Sequence, residues 1–485
     1  MQYCDPAPVL TGLHVRTGFG RLGAVSPINM SGVHSSRLMA VPKLLLLCVV
    51  LLDIPFQVSI HAARQEAIEE LGAISGFEIS LGSIALALLC LIVVIGPGFT
   101  RPRAFDKTVV TPAFLLLVIY VFSVLVAKDS LVALFEVWKV AGLFCLCWYV
   151  THTVASREDF LFVVRWLLLG LIFESVLMLG QAGGWVGSFT LWGLKVRDDF
   201  LGSGRICGSL ASPNEAAPYL AMIMTLALSV LRAKVRRSDK FLAAAGLSVA
   251  IIPLIATGSR GGWLAFVVGA IIVVLFGGKR HRIRTAAALI VMLLAIGAPL
   301  ANVLQDRLTR DDSGSAASRV PLNRIALLMI ADYPILGVGA NNFPLVMAPY
   351  AVRCHAMGEF LYTVHNKYLL VWSELGSLGF VAFMWLLIAI VYTGVRCANT
   401  RHPLYSPLAL GLTAAAVGVM AHMLFDPFRE NGAYRLLWLI GGLLGAMTSG
   451  VRNGTLQMSF LSSSGVLYEE RPSVSTQSAP SITLR

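Results

Sequence analysis

Charged residues are scarce in this chain of 485 residues, because only 13% are Asp, Glu, Lys or Arg while 57% are hydrophobic. Soluble domains carry roughly a quarter charged residues, so the composition excludes an ordinary water-soluble fold. The mean hydropathy of +0.77 agrees, since a bilayer is then the main solvent of the side chains. Strand-like alternation of polar and apolar residues is also lacking, which leaves helices as the spanning elements.

Long apolar runs divide the chain at the length that a helix needs to cross a bilayer, about 20 residues each. They predict an all-α, polytopic transmembrane helical bundle of about twelve spans. Around it we expect an N-terminal cytoplasmic segment without stable structure (1–37), a transmembrane domain (38–450) and a disordered, Ser-rich cytoplasmic tail (451–485). The predicted spans are 38–60, 79–98, 109–127, 131–151, 160–182, 214–231, 241–257, 261–278, 285–303, 368–394, 404–425 and 434–450.

Lys and Arg cluster in short loops that fall on one side of the membrane when the predicted spans are counted. Because cytoplasmic loops are enriched in these residues, that side and both termini are predicted to be cytoplasmic. Topology then explains the net charge of +12 better than a nucleic-acid-binding surface does. Two long external segments remain, about 183–213 and a periplasmic loop of about 305–364 before the tenth span. The basic loops hold Arg101, Arg103 and Lys107; Arg232, Lys234, Arg236, Arg237 and Lys240; and Lys279, Arg280, Arg282 and Arg284.

Several motifs of nucleotide-driven and metal-dependent enzymes are absent from the sequence. There is no Gly-x-x-x-x-Gly-Lys-Ser/Thr phosphate loop, no His-Glu-x-x-His and no Gly-x-Ser-x-Gly. We therefore expect no metal and no cofactor. Of the few cysteines, Cys207 and Cys354 alone fall on predicted external loops. A disulfide between them in an oxidising compartment is one hypothesis, and two free thiols are at least as compatible with the sequence.

Four segments carry a family resemblance. They are RICGSLASPNEAAPYLA from Arg205, ATGSRGGWLAFVVG around Arg260, RIALLMIADYPILGVGANNF from Arg324, and HNKYLLVWSELGSLGFVAF from His365. Each segment alone is a loose pattern, but the four occur in order around the long external loop. Together they resemble the O-antigen ligase and polymerase superfamily of bacterial membrane glycosyltransferases, over about residues 200–385.

The resemblance implies transfer of a glycan from undecaprenyl diphosphate to a sugar hydroxyl at the periplasmic face of the bacterial inner membrane. It assigns catalysis to His365 and binding of the donor diphosphate to Arg205 and Arg260, with Arg324 a weaker correspondence. No metal or nucleotide is implied. The implied partners are the undecaprenyl diphosphate-linked glycan, a glycan or lipid A-core acceptor, the lipid bilayer and other polysaccharide-export components.

The chemistry of these residues fits that assignment, although each has a simpler interpretation. Guanidinium groups meet diphosphate oxygens with charge-assisted hydrogen bonds, and a histidine can take the proton of a hydroxyl. However, a histidine at a helix start can also serve as a cap, and interfacial arginine commonly anchors at lipid headgroups. Loop arginines such as Arg307, Arg310 and Arg319 are equally compatible with a solvated loop. We expect replacement of Arg319 to have little effect.

Some intramembrane charges have a structural interpretation. Glu136 and Lys139 are three residues apart and can pair on one helix face. Arg165 and Glu174 are expected to form hydrogen bonds across helices. For His422 and Asp426, which lie one turn apart, a structural role is also favoured.

A polysaccharide transporter or flippase is the alternative from another functional class. Its usual signs are inverted repeats and broken helices with polar sites at the midplane, and the sequence shows no repeat. A purely structural scaffold leaves the external arginines without a role. Within the family resemblance, polymerase and ligase both stay open, with a polymerase for an exopolysaccharide slightly favoured.

Overall fold

The computed structural model of the chain describes residues 40–95, 107–191, 194–196, 204–278, 283, 287, 319–355, 362–429 and 431–452. From Leu45 onward these residues belong to one compact unit, whereas residues 40–44 belong to a separate N-terminal unit. The predicted terminal segments lie outside the described residues, apart from the two that end the last helix. The predicted span 285–303 is also outside them, except for residue 287.

Helices make up most of the described structure, as the sequence predicts. They are α1 (Ala40–Phe56), α2 (Glu66–Glu70), α3 (Leu81–Ile95), α4 (Lys107–Ser123), α5 (Ser130–Thr153), α6 (Arg157–Ala182), α7 (Pro213–Val230), α8 (Arg237–Ala256), α9 (Arg260–Phe276), α10 (Arg319–Asp332), α11 (Phe343–Val346), α12 (Ala348–Arg353), α13 (Lys367–Ala398), α14 (Tyr405–His422) and α15 (Asn431–Arg452). Two short antiparallel hairpins interrupt them, β1 (Ser59–Ala62) with β2 (Phe77–Ser80) and β3 (Phe189–Leu191) with β4 (Leu194–Val196). The sequence did not indicate these strands.

Five helices in the described part, α5, α6, α8, α13 and α14, are long and apolar enough to cross a membrane. Three shorter apolar helices accompany them, namely α3, α4 and α9. Long helices overlap every predicted span that falls on described residues. A mostly helical structure with several helices able to span a membrane is confirmed, while the number of about twelve spans and the periplasmic position of the long loop stay predictions.

Several of these helices begin at a Ser, Asp or Asn whose side chain caps the helix N-terminus. Asp129 accepts hydrogen bonds from two backbone amides at the start of α5. Ser156 and Asp159 form a reciprocal capping box at α6, and Asn366 caps α13. Such caps satisfy amide groups that have no partner within the helix, which matters most where little water is present.

Small residues let α7, α9 and α14 approach closely. A Cβ added to Gly262 of α9 would lie 2.2 Å from the Cβ of Ala217 in α7. A Cβ at Gly418 of α14 would lie 2.3 Å from the carbonyl oxygen of Ala265 in α9. Close backbone packing of this kind is a common source of attraction between membrane helices.

The segment that follows α10 packs onto a break in α13. Gly376 has φ 63, and a Cβ there would lie 2.2 Å from the carbonyl carbon of Ile335. The amides of Val338 and Gly339 donate to the carbonyls of Ser373 and Glu374, at 3.0 and 2.9 Å. Gly337 of the third motif and Gly376 of the fourth therefore serve this close backbone contact.

Segments predicted to be external lie on one face and contact each other. Asn341 and Asn342, which follow α10, bond the residues before α3 and at the start of α5. The segment before α13 bonds the turn at residues 71–72 and the end of α14. The contacts are Asn341 Nδ2 to the Ile74 carbonyl (2.9 Å), Asp129 N to Asn342 Oδ1 (2.8 Å), Thr363 Oγ1 to the Gly72 carbonyl (2.6 Å) and Lys367 N to the Met423 carbonyl (2.8 Å). We call this the loop face.

Residues 319–355 are folded, in contrast to the plain loop that the sequence predicts. α10, α11 and α12 enclose a small hydrophobic core of their own, which includes Ile325, Met329, Phe343 and Tyr350. Residues 305–318 of the predicted loop lie outside the described residues. The folded portion fixes the orientation of the first residue of α10, Arg319.

Candidate active site

Two of the predicted arginines, Arg205 and Arg260, lie at one turn of the loop face. Arg205 Nε donates to the carbonyl of Thr257 at 2.8 Å, and its Nη2 donates to Asn214 Oδ1 at 2.7 Å. Arg260 is exposed and is the first residue of α9, directly after the cap Ser259. The turn therefore presents guanidinium groups beside a helix N-terminus, a combination that favours an anionic ligand.

Carboxylate and amide groups of α6 hold the loop that carries Arg205. Glu174, which is fully buried, accepts hydrogen bonds from the amide and the hydroxyl of Ser209, both at 2.7 Å. Gln181 Oε1 accepts from the amide of Gly208 at 2.8 Å. Glu174 thus bonds a loop, whereas the sequence predicted a bond between helices. Arg165 does bond across helices, to Asp239 of α8 at 2.7 Å.

His365 lies just before α13 and is partly buried. Its ring packs against the ring of Tyr362, with centroids 5.5 Å apart, and its Nδ1 is buried without a hydrogen-bond partner among the described residues. Burial, followed by the positive charge of Arg319, lowers the pKa of His365 to about 4. The imidazole is then neutral at neutral pH, which is the form that a proton acceptor needs.

Arg319 occupies a position that the sequence did not indicate. It begins α10, and its Nε is buried without a hydrogen-bond partner in the described part of the chain. Its charge acts on both His365 and His422. A solvated loop arginine would be screened by water, so the buried Nε gives Arg319 an electrostatic influence on the two histidines that the sequence did not indicate.

His422 links the arginine turn to the neighbourhood of His365. It is 2% exposed, and its Nδ1 has no hydrogen-bond partner among the described residues. Its ring packs against Phe428, and a Cβ on Gly261 would lie 2.9 Å from its Cδ2. The sequence favoured a structural role, but burial of an unpartnered ring nitrogen beside Arg260 makes His422 part of the candidate site. The sequence did offer one indication that His422 could belong to the site, namely its position at the external end of a predicted span.

Arg324 is the predicted residue that the structure does not bring to this cluster. It is exposed on α10, whereas the buried face of that helix is formed by Leu322, Ile325, Ala326 and Met329. It makes no hydrogen bond or ion pair with other described residues. Five positions separate it from Arg319, which places the two side chains well apart around the helix.

Tyr362 is the aromatic neighbour of His365. Its hydroxyl accepts a hydrogen bond from Arg429 Nη1 at 3.0 Å, and Arg429 also donates to the carbonyl of Ala73. We call the neighbourhood of Arg319 and the turn of Arg205 and Arg260 the arginine side of His365, and that of Tyr362 and Arg429 the tyrosine side.

Buried charged side chains near the site have polar or aromatic partners, and two of them form the ion pair that the sequence predicts. Lys139 lies 2.7 Å from Glu136 within α5. Lys367 is buried with its Nζ 4.9 Å from the ring centroid of Tyr434, and Glu374 accepts from the amide of Phe343 at 3.2 Å. These groups join α5, α13 and α15, which gives them a structural role.

Cysteines and candidate metal ligands offer no additional chemistry in the described residues. Among the described residues, no disulfide joins Cys207 to Cys354, so the hypothesised pairing is wrong. The first is fully buried in the main core and the second packs against the small core of α10–α12. Within the described ranges no three His, Cys, Asp or Glu side chains gather in a way that could hold a metal ion.

These features define a multi-pass membrane protein with a polar site on its loop face. Residues 242–384 match the family described as O-Antigen ligase. The match confirms the resemblance to the O-antigen ligase and polymerase superfamily, and it supports glycan transfer of the ligase or polymerase type. It includes Arg260, Arg319, Arg324 and His365 but not Arg205. Comparison with curated proteins gives no significant match.

Proposed function

We propose that this protein transfers a glycan from undecaprenyl diphosphate to a sugar hydroxyl at the periplasmic face of the bacterial inner membrane. It would act as a polysaccharide polymerase or an O-antigen ligase, without a metal ion. The main support is the position of His365. Its buried imidazole, neutral at neutral pH, lies beside Arg319 within the segment that matches the family.

In the proposed step, an oxygen of the acceptor hydroxyl attacks the anomeric carbon of the donor glycan. The bond from that carbon to the diphosphate oxygen breaks, and the diphosphate leaves with the electron pair. His365 takes the proton of the hydroxyl. General-base catalysis of this kind contributes typically a hundred- to ten-thousand-fold in rate.

The leaving diphosphate gains negative charge as its bond breaks. Arg205 and Arg260 lie where guanidinium groups can meet that charge beside the N-terminus of α9. Arg205 is already oriented by Thr257 and Asn214 before any ligand binds, so little reorganisation is needed. Arg324 belongs to this proposal through the family resemblance alone.

The proposal places the loop face in the periplasm. The clustering of the predicted external segments on one face supports the predicted topology, since counting spans assigns all of them to the same side. Reporter fusions after Gly183 and Asp312 should give periplasmic signals, and fusions after Arg236 and Arg282 should give cytoplasmic signals. A cytoplasmic signal at Asp312 would invert the topology and remove the catalytic assignment.

Reconstitution with lipid-linked glycan tests the function directly. Formation of a new glycosidic bond supports the proposal, whereas translocation of the intact lipid-linked glycan without bond transfer would make the protein a flippase. Electrophoresis of polysaccharide from a deletion strain then separates the two enzyme types. Loss of a ligase leaves lipid-linked polymer unattached to lipid A core, and loss of a polymerase leaves single repeats.

A further inference from the structure

Helix α10 is largely apolar on two opposite sides. One side packs into the small core of α10–α12, through Leu322, Ile325, Ala326 and Met329. The other side is exposed and carries Val320, Arg324, Leu327 and Ala331. Residues three or four positions apart share one face of a helix, so these four form a single stripe. We call it the outer stripe of α10. A helix surrounded by water usually presents several polar residues on its exposed face, whereas this stripe has one, Arg324.

Apolar exposure continues into the turn that follows α10, at residues 333–336. All four side chains of this turn are exposed, and Ile335 is 63% exposed. The backbone of the turn is nevertheless fixed against α13. The amide of Ser377 donates to the carbonyl of Pro334 at 2.8 Å, and the amide of Leu378 donates to the carbonyl of Ile335 at 3.4 Å. The turn therefore holds its apolar side chains outward on a fixed backbone.

The exposed surface of α13 continues this apolar surface. α13 is one of the helices that are long and apolar enough to cross a membrane. Its exposed large apolar residues recur every three or four positions, at Leu378, Val381, Trp385, Ile388 and Tyr392. The exposed apolar face of a membrane-spanning helix contacts lipid. Because Leu378 is bonded to the turn at Ile335, the apolar surface of α13 runs onto residues 333–336 and then onto the outer stripe of α10.

Charges on and beside the outer stripe fit a lipid surface better than a second copy of the chain. The long side chain of Arg324 can extend along apolar surface to the phosphates of lipid headgroups, which accept from guanidinium. Asp332, at the end of α10, lies off the stripe and pairs with Arg353 at 2.9 Å. The stripe itself contains no carboxylate. In a symmetric contact between two copies, Arg324 would therefore face apolar residues or its own counterpart.

We infer that the outer stripe of α10 and residues 333–336 contact the lipid bilayer, in the leaflet on the side of the loop face, with Arg324 at the headgroup phosphates. α10 is then an interfacial helix, and its opposite side is covered by the protein. This contact needs no transfer activity and does not rest on the proposed function. It has a consequence for the candidate site, because α10 begins at Arg319. A helix held by lipid keeps Arg319 near the depth of the headgroups.

Quenching of a fluorescent amino acid, placed singly in the full chain, tests the inference. The test positions are Leu327 and Ile335. Ile388, on the exposed face of α13, is the control for a lipid contact, and Ala67, exposed between the acidic residues of α2, is the control for water. Each protein is reconstituted into vesicles of phosphatidylethanolamine and phosphatidylglycerol. The quenchers are lipids with a nitroxide near the headgroup or near the chain end, and iodide on both sides of the membrane.

The nitroxide near the headgroup should quench Leu327 and Ile335 at least about threefold more than Ala67, as expected for side chains roughly 5–10 Å into the interface. Iodide should show the reverse order. Equal quenching of all three positions by iodide would overturn the inference, since the stripe would then face water. Protection of Leu327 and Ile335 from every quencher would also overturn it, because protein would then cover the stripe. Native mass spectrometry would show whether that protein is a second copy.

The position given to Arg324 has its own test. In Arg324→Glu the quenching of Leu327 by the nitroxide near the headgroup should fall, because anionic headgroups repel a carboxylate. Arg324→Lys keeps the charge and should leave the quenching unchanged. Unchanged quenching in Arg324→Glu would contradict a position at the headgroups.

The unmodified chain gives a second measurement if a fluorescent variant folds poorly. A lipid-soluble diazirine, activated by light in the same vesicles, should label residues 327–336 and Ile388 but not α2, as mass spectrometry of peptides would show. The result is independent of the proposed function. A chain that takes this label but transfers no glycan would contradict the function and leave the inference standing. A chain that transfers glycan while residues 327–336 take no label would leave the function standing and overturn the inference.

Discussion

Arginine performs different work on the two sides of His365. On the tyrosine side, Arg435 lines the same cavity as Tyr362 and Arg429 and lies between two carboxylates, Asp53 and Glu78, at 2.5 and 3.3 Å. On the arginine side, Arg319 has a buried Nε without a hydrogen-bond partner among the described residues, and its charge acts on two histidines. Compensated charge holds helices together, whereas uncompensated charge is available to a ligand and to the ionisation of its neighbours.

The comparison also explains why residue type alone misleads. Both arginines lie near a helix start, in Arg-containing segments that look alike in the sequence. Arg435 has two carboxylate partners from segments far away along the chain, whereas the buried Nε of Arg319 has none among the described residues. The predictions below test whether each side has the role that its charge balance indicates.

The largest effect is expected at His365 itself. His365→Ala should lower the single-turnover rate of transfer by about a hundred- to ten-thousand-fold, because the proton acceptor is lost. Donor affinity should stay near that of the wild type, since His365 acts on the acceptor. Measurements on purified protein, with His355→Ala as a control at an exposed histidine of the same region, check this. Wild-type turnover in a normally folded His365→Ala protein would end the mechanism.

On the tyrosine side, the ion pairs should matter for stability. Replacing Arg435 by Met leaves Asp53 buried without its cation, which in comparable sites costs about 3–5 kcal/mol of unfolding free energy. Thermal unfolding in detergent should show a clear fall in midpoint. The control Arg64→Gln breaks an exposed pair with Glu69 and should leave the midpoint nearly unchanged. Equal midpoints for both variants would mean that the charges on the tyrosine side are not structural.

On the arginine side, substitution by lysine should affect turnover more than folding. Arg260→Lys keeps the charge but loses the planar pair of N–H donors, and we expect a loss on the order of a hundredfold in transfer. Arg205→Lys should lose as much, and some stability besides, because Arg205 also bonds Thr257 and Asn214. Arg353→Lys, in an exposed pair with Asp332, is the control. Full activity in both Arg260→Lys and Arg205→Lys would show that neither arginine is needed to bind the diphosphate.

Much of the helical framework could be predicted from the sequence. The apolar runs place the long helices within a few residues, and the caps at Asp129, Ser156 and Asn366 follow ordinary local rules. The pairing of Glu136 with Lys139 was also predictable, because both residues lie on one helix face. These are local features, for which spacing along the chain is enough.

The features that sequence reasoning missed depend on contacts between distant segments. The β1–β2 hairpin has strands of only four residues, too short for a pattern of alternation to stand out. Which side of α10 is buried is decided by α12 and the start of α13, so Arg319 and Arg324 could not be ranked from spacing. His422 looked structural because its neighbour Gly261 lies far away in the sequence.

The smallest effect, and the sharpest comparison, concerns Arg319 and Arg324 on one helix. A positive neighbour lowers the pKa of His365, so Arg319→Gln should raise that pKa from about 4, while burial, the larger cause, keeps it below the ordinary value. Transfer requires neutral imidazole and is lost as pH falls through this pKa. The acid limb of the pH–rate profile should therefore move to higher pH, by about one unit or less.

Arg324→Gln is the matched control, because Arg324 is exposed on the same helix. It should leave the acid limb in place, and near neutral pH both variants should turn over at close to the wild-type rate unless Arg324 binds diphosphate. A rate loss for Arg324→Gln without a shift of the limb would support the role that the family resemblance gives it. An unshifted limb in Arg319→Gln would show that burial alone sets the ionisation of His365, and the contrast between paired and unpaired arginines would then lose its functional meaning at this residue.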